Sequence, residues 1–368
     1  MVMRPRLACG PLQTPRRRLR FACAALLALA APVGIGCEDR EAPDTDDPRL
    51  GGLSILAVGD TGKPVKALDA LDPGRAVGRA LGAEDERDPI EALVLLGDNF
   101  YPDGLEKDDL KDRLRENLVG PYCRFIELTP RGAGSLRDAC PAAEAVHPIP
   151  IFAVLGNHDY GEHESPELQR RVVPDYVRSW RMPKDDVGVR ELRGGVSLIL
   201  LDSTRVARAD GDDDDDVVRA IRESKGPWRV IAAHHPMLRA GRGYDPRFRE
   251  RMERILERAG VPIHLYLAGH EHNLQAFPAP GRSPALHLVA GGGSDVRKIS
   301  DADTSRTFAQ GSLGFARLDF DREPKPRLVA TLLDVPAPPL PARARAVARF
   351  EITPDGAVNV LDSAHVGP

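Results

Sequence analysis

The chain has 368 residues, 42% hydrophobic and 29% charged, which is ordinary globular composition, and a net charge of −4. Its first 36 residues carry six arginines (Arg4, Arg6, Arg16, Arg17, Arg18 and Arg20) and no acid, so the remainder has a net charge of −10. A chain this acidic is not built for unspecific grip on nucleic acid, and any anionic substrate must find positive charge in the site itself.

The arginines precede an apolar run, Phe21–Gly36, that ends in small residues. The run is shorter than the ~20 residues that span a bilayer as a helix, so the pattern predicts a secretory signal peptide. Val33-Gly34-Ile35-Gly36-Cys37 resembles a bacterial lipoprotein cleavage site, with Gly34 where leucine is usual. The expectation is a leader over residues 1–37 and an exported protein, periplasmic or at the cell surface. A lipidated Cys37 would attach it to the bacterial envelope. Residues 38–52, rich in Asp, Pro and Gly without apolar period, read as a flexible tether, and residues 53–368 as the functional domain. Cys123 and Cys140, an even pair in an exported protein, suggest a disulfide.

Within the domain, Leu53–Val58 reads as a strand, residues 75–82 as helical and Leu93–Leu96 as a short buried strand. Asp108–Leu118 is a polar amphipathic helix, and Pro121–Pro148 an irregular insertion loop. Ile149–Val154 is a strand, and Pro166–Trp180 is helical with a break near Pro174. Strands follow at Val196–Leu201, Trp228–Ala233 and His264–Leu267, with helices at Val217–Glu223 and Pro246–Ala259 between them. Leu286–Ala290, Gly314–Phe320, Arg327–Leu333 and Val347–Ile352 complete a strand-rich second half. Alternation of strands with helices, then strands alone, predicts an α/β domain of two sheets packed face to face with helices outside.

Five strand ends carry polar residues: Asp60; Asp98 with Tyr101; Asn157-His158; His234; and His270 with His272. Each alone reads as a capped turn or a chance histidine. Together, directly after strands and mostly after glycine, they fit a site at the carboxyl ends of a sheet. Aspartate and phenolate oxygens prefer hard cations, and imidazoles suit Zn, Fe, Mn or Ni. Asp60, Tyr101 and a histidine suit a trivalent ion, and Asn157 with two histidines a divalent one. Asp98, with two oxygens between the sets, can bridge them at the ~3.5–4 Å spacing used in phosphoryl displacement.

These motifs resemble the calcineurin-like metallophosphoesterases, and among them the short, tartrate-resistant type of purple acid phosphatase. Gly59-Asp60-Thr61-Gly62, Gly97-Asp98-Asn99-Phe100-Tyr101, Gly156-Asn157-His158-Asp159 and Gly269-His270-Glu271-His272 match the family's first, second, third and fifth motifs, and Val230-Ile231-Ala232-Ala233-His234 resembles the fourth with an extra apolar residue before the histidine. The resemblance implies a four-layer αββα sandwich of two mixed sheets. It implies Fe(III) on Asp60, Asp98, Tyr101 and His272, and a divalent Fe, Zn or Mn on Asp98, Asn157, His234 and His270. It also implies hydrolysis of a small phosphorylated substrate, a phosphate monoester, by metal-bound hydroxide, with His158 facing the substrate as proton donor. The alternatives are a phosphodiesterase or nucleotide pyrophosphatase with the same centre, and a non-catalytic surface scaffold.

Two departures from the family pattern matter. The wider superfamily opens with Asp-x-His, and here that histidine position is Gly62, so Tyr101 supplies an anion in place of an imidazole. The short purple acid phosphatases carry a further catalytic histidine where Gly243 stands here. His235, Arg239 and Arg242 are the candidates to grip substrate in its place.

Overall fold

In Leu53–Val58, Ile55 and Ala57 face one way and Leu56 and Val58 the other, and all four are buried. A strand buried on both faces must lie in the middle of a layered structure. The computed structural model describes residues 52–363 except 64–70, 141–143, 145, 209–212, 241–245, 300–307 and 323, all within the unit Asp46–Pro368. The predicted leader, Cys37, nearly all of the tether, Arg242 and His365 lie outside the described residues.

In chain order the strands are β1 (Leu53–Val58), β2 (Ala92–Leu96), β3 (Ile151–Val154), β4 (Trp180–Arg181), β5 (Val187–Leu192), β6 (Val196–Leu201), β7 (Trp228–Ala232), β8 (Leu265–Ala268), β9 (Leu274–Pro278), β10 (Leu286–Ala290), β11 (Phe308–Gln310), β12 (Leu313–Asp321), β13 (Arg327–Val335), β14 (Arg345–Ile352) and β15 (Val358–Ser363). One sheet has the order β15-β14-β13-β12-β1-β2-β3-β4, the other β11-β9-β10-β8-β7-β6-β5. Both are mixed: β1 to β4 run parallel with antiparallel β12 beside β1, and β6, β7, β8 and β10 run parallel with antiparallel β5 and β9 on either side.

Ile55, Ala57, Val94 and Leu96 of the first sheet pack on Val196, Leu198, Leu200 and Val230 of the second. The outer face of the first sheet is covered by the helix Pro73–Arg87 through Ala76, Val77, Ala80 and Leu81. Asp72 caps that helix by accepting the Arg75 N–H at 3.0 Å, with Pro73 in the first turn. The outer face of the second sheet is covered by Asp215–Glu223 and Pro246–Ala259 through Val217, Ile221, Met252 and Ile255. The result is the expected α/β sandwich with helices on both outer faces.

The insertion loop is more ordered than its proline and glycine content suggests. Thr129 accepts the Gly132 N–H at 3.1 Å and Pro130 opens a helix over Pro130–Leu136. Cys123 and Cys140 are disulfide-bonded, and closing that loop contributes about 3 kcal/mol. The predicted helix Asp108–Leu118 is an α-helix only over Leu110–Arg113 and continues as a π-helix over Leu114–Val119. Strands β4, β5, β9, β11 and β15 are absent from the sequence-based assignment; the helix expected over Pro166–Trp180 is α-helical only over Ser165–Glu167, continues as π and 3-10 turns to Asp175, and gives way to β4 at Trp180. β5 and β15 are half-buried or exposed along their length, so neither carries a hydrophobic alternation to read.

Candidate metal centre

Strands β1, β2, β3, β7 and β8 run parallel within their sheets and give way, at their carboxyl ends, to the five predicted turns. The backbone there is unusual. Asp60, Asp98, His270 and His272 have φ of 59°, 52°, 71° and 21°, and they are the non-glycine residues with positive φ among those described. Such a backbone costs about 1–3 kcal/mol per residue and persists only where its surroundings enforce it. The sequence reading credits the preceding glycine with the sharp turn. In the structure Gly97 does adopt a φ of 84°, but the four strained residues are themselves donors of the site.

The seven predicted ligands come together in two groups. In the first, the Tyr101 hydroxyl lies 3.0 Å from Asp60 Oδ1, 2.8 Å from Asp98 Oδ2 and 2.9 Å from His272 Nε2. In the second, Asn157 Oδ1 lies 3.1 Å from His234 Nε2 and 3.0 Å from His270 Nδ1, and those two nitrogens are 3.1 Å apart. Asp98 Oδ2 joins the groups, 3.4 Å from His234 Nε2. Asp60, Asp98 and His234, all buried, each turn one ligand atom to within 4.8 Å of the others, an arrangement able to hold a metal ion. Asp98 faces both groups through a single oxygen. Its Oδ1 is occupied by the His158 N–H at 2.9 Å.

The chemistry of these donors fits a cation. His234 Nδ1 is 2.9 Å from the Leu96 carbonyl, which can only accept, so Nδ1 carries the proton and Nε2 presents a lone pair. Nε2 faces the oxygens of Asn157 and Asp98 and Nδ1 of His270. Burial disfavours charge on His234, but Asp98 and Asp60 outweigh it and its pKa is raised. Burial opposes charge on Asp98 too, yet His234, the His158 N–H and the Tyr101 hydroxyl together lower its pKa. Tyr101 is pushed far up, by burial and then by Asp60 and Asp98, so only a strong cation displaces its proton. His270 is held neutral by burial and by the neighbouring His234, His235, Arg297 and Arg239, which is the ligating form of imidazole.

Gly62 explains the missing superfamily histidine. A Cβ there would lie 2.3 Å from the Phe100 nitrogen, so the second turn occupies the space a side chain would need. Gly62 N–H donates to the Asp98 carbonyl at 3.0 Å and its own carbonyl accepts the Tyr101 N–H at 2.8 Å. Losing the side chain at 62 thus lets Tyr101 approach.

His158 lies beside the centre, with its ring 4.4 Å from that of Tyr101 and its Nδ1 2.5 Å from the Pro102 carbonyl. His235 also lies beside the centre, with its ring 4.8 Å from that of His270 and Nδ1 3.1 Å from Ser203 Oγ; burial, and then His234, push its pKa down to about 3. Arg239 pairs with Glu271. Arg242 lies outside the described residues.

Three supporting residues escaped the sequence reading. Asp159 accepts the backbone N–H groups of Gly156 at 2.8 Å, Asn99 at 3.0 Å and Phe100 at 3.1 Å, stitching the second turn to the third. Ser203 Oγ accepts the N–H groups of His234 at 3.1 Å and His235 at 2.8 Å. Ser294 Oγ donates to the Asp60 carbonyl at 2.5 Å. For Ser203 a signal existed, since Asp202-Ser203 follows an apolar run as the other turns do.

The calcineurin-like phosphoesterase profile matches residues 53–274, from β1 through the turn that holds His270 and His272. The chain belongs to the calcineurin-like phosphoesterase family. Curated relatives include Purple acid phosphatase 17 of Arabidopsis thaliana, 26% identical over 266 residues, covering 66% of this chain and 69% of the relative. Purple acid phosphatase 7 of the same plant is 25% identical over 266 residues, covering 66% and 71%. Among solved structures, purple acid phosphatase PPD1 of yellow lupin aligns with a TM-score of 0.57 at 16% identity, over 86% of this chain and 57% of that one. GAP50, described as the anchor in the inner membrane complex of Plasmodium, aligns with a TM-score of 0.56 at 15% identity, over 85% and 90%. The protein is therefore a hydrolase, a metallophosphoesterase similar to purple acid phosphatases. No helix among the described residues is long and apolar enough to cross a membrane.

Proposed function

We propose that this metallophosphoesterase hydrolyses phosphate monoesters at a dinuclear centre, in the manner of a purple acid phosphatase. The supporting observation is Asp98 Oδ2, 2.8 Å from the Tyr101 hydroxyl and 3.4 Å from His234 Nε2, between an oxygen-rich and a nitrogen-rich group. Asp60, Asp98, Tyr101 and His272 would hold Fe(III), and Asp98, Asn157, His234 and His270 a divalent Fe, Zn or Mn. When bound, the ions supply Lewis acidity and lower the pKa of water enough to make a nucleophile at acid pH.

The side chains do the rest. Asp98 keeps the two donor groups adjacent, and Asp159 holds the turns that carry it. His158 gives a proton to the departing alkoxide oxygen. Its Nδ1 is anchored on the Pro102 carbonyl, which leaves Nε2 for that task. The negative charges of Asp60, Asp98 and Tyr101 fall short of a 3+/2+ pair, so an acidic protein acquires a local anion site. A leader ending in Cys37 would deliver the enzyme to the envelope, where it meets phosphorylated small molecules.

A scaffold role leaves the converging lone pairs without use. The test is a panel of phosphomonoesters and diesters across pH, with and without chelator. Chelator-sensitive monoester hydrolysis with its optimum below neutral pH is expected. Hydrolysis confined to diesters or nucleotide pyrophosphates would assign the same centre to the other reaction.

A further inference from the structure

A phosphate monoester presents three terminal oxygens that carry between one and two negative charges around its second pKa of about 6. The family's second catalytic histidine is missing from the position where sequence alone places it, so another cation is needed near the turn of His270 and His272. Four cations among the described residues touch groups of this site; half-buried Arg113 is spent on the Tyr101 carbonyl, and the charges of the other three differ in fate. Lys63 is paired with Asp295 at 2.5 Å. Arg239 is paired with Glu271. Arg297 has no carboxylate against it among the described residues, and its guanidinium rests on a neutral group, with Nη1 donating to the His270 carbonyl at 3.2 Å.

Arg297 is also built into the turn rather than merely near it. Its backbone N–H donates to the His272 carbonyl at 2.9 Å, so main chain and side chain are both tied to the turn of His270 and His272. The residue follows Gly291-Gly292-Gly293-Ser294, a stretch locked to the first turn through Gly293 N–H to the Gly59 carbonyl at 3.1 Å and Ser294 Oγ to the Asp60 carbonyl at 2.5 Å. The side chain is exposed, so the donors of the fork not used on His270 are open to a ligand.

We propose that Arg297 is the phosphoryl-gripping cation of this site, binding terminal oxygens of a dianionic phosphate and so favouring monoesters over diesters. The inference rests on the phosphomonoesterase reading above for its meaning in catalysis, but not for its test. A guanidinium fork matches two terminal oxygens of one phosphoryl group, whereas a diester presents less charge and bulk on one of the esterified oxygens. His235 and Arg239, the sequence-derived candidates, are less suited: the first has its Nδ1 on Ser203 Oγ, the second is paired with Glu271.

The test uses the metal-loaded full chain, Arg297→Ala and Arg297→Lys, with metal content checked in each. Inorganic phosphate binding is read by calorimetry, and KM by turnover of an aryl phosphate monoester and a bis-aryl diester. In Arg297→Ala the phosphate Kd and monoester KM should rise about 10- to 100-fold, the range expected for one lost charge-assisted contact, with metal content unchanged. The diester KM should move by less than about 3-fold, and Arg297→Lys should fall between, keeping charge but not the fork. An unchanged phosphate Kd, or an equal loss on diester and monoester, overturns the assignment. If the wild type hydrolyses no ester yet binds phosphate through Arg297, the subsite stands and the reading as a phosphomonoesterase falls.

Discussion

Asp98→Asn should empty both metal sites and lower monoester turnover by about 10³-fold or more, while leaving the fold intact. Asparagine is nearly isosteric, and its Oδ1 still accepts the His158 N–H. What it removes is the negative charge whose Oδ2 lies between the Tyr101 hydroxyl and His234 Nε2. In metal-free protein His234, the His158 N–H and the Tyr101 hydroxyl favour the charged form of Asp98 and hold its pKa down. Neutralising it should therefore lower the stability of the metal-free chain at neutral pH. Added metal should raise the melting temperature of the wild type, since binding to the native state alone stabilises it. The variant should show no such rise. An Asp98→Asn protein that keeps its metals and its metal-dependent melting shift would remove Asp98 from the centre of the account.

His158→Ala is expected to behave in the opposite way: metals retained, turnover reduced about 10²- to 10⁴-fold, the usual contribution of a positioned general acid. The side chain touches the Pro102 carbonyl and packs on the Tyr101 ring. The main-chain N–H of residue 158 donates to Asp98, and alanine keeps that bond. A general acid matters most when the departing oxygen is strongly basic. The loss should accordingly be largest for alkyl phosphates and smallest for aryl phosphates. A uniform loss across leaving groups would recast His158 as a binder of phosphate oxygens, and full activity in the variant would remove it from the chemistry.

Much of this site is legible in the sequence because each donor lies in the turn directly after a strand, none more than five residues past its end. The pattern of apolar run, glycine and metal-ligand residue is local, and local patterns survive in a one-dimensional reading. The absence at Gly62 could be noticed in the sequence, but its reason is three-dimensional. Only the structure places the Phe100 nitrogen where a Cβ would stand. The left-handed backbone at Asp60, Asp98, His270 and His272 was likewise invisible, since no residue type there announces it.

The residues that sequence reading overlooked act at long range. Asp159 reaches back 60 residues to Asn99, and Ser294 reaches back 234 residues to Asp60. Arg297 stands in a loop after β10, a strand whose end carries glycines and no ligand residue, so nothing drew attention to it. The helix Pro130–Leu136 was concealed by the same proline and glycines that made its neighbourhood read as loop. The acidic run before Val217 proved structural in part, as Asp214 makes a buried pair with Arg251 at 2.8 Å.

The central claim is that Tyr101, an anion where relatives in the wider superfamily have histidine, selects a trivalent iron. Metal analysis together with a visible spectrum tests it most directly. The expected result is about one iron with one further metal ion per chain, and a broad charge-transfer band that disappears in Tyr101→Phe. A colourless, active protein holding only zinc or manganese, with a spectrum unchanged by Tyr101→Phe, would contradict it.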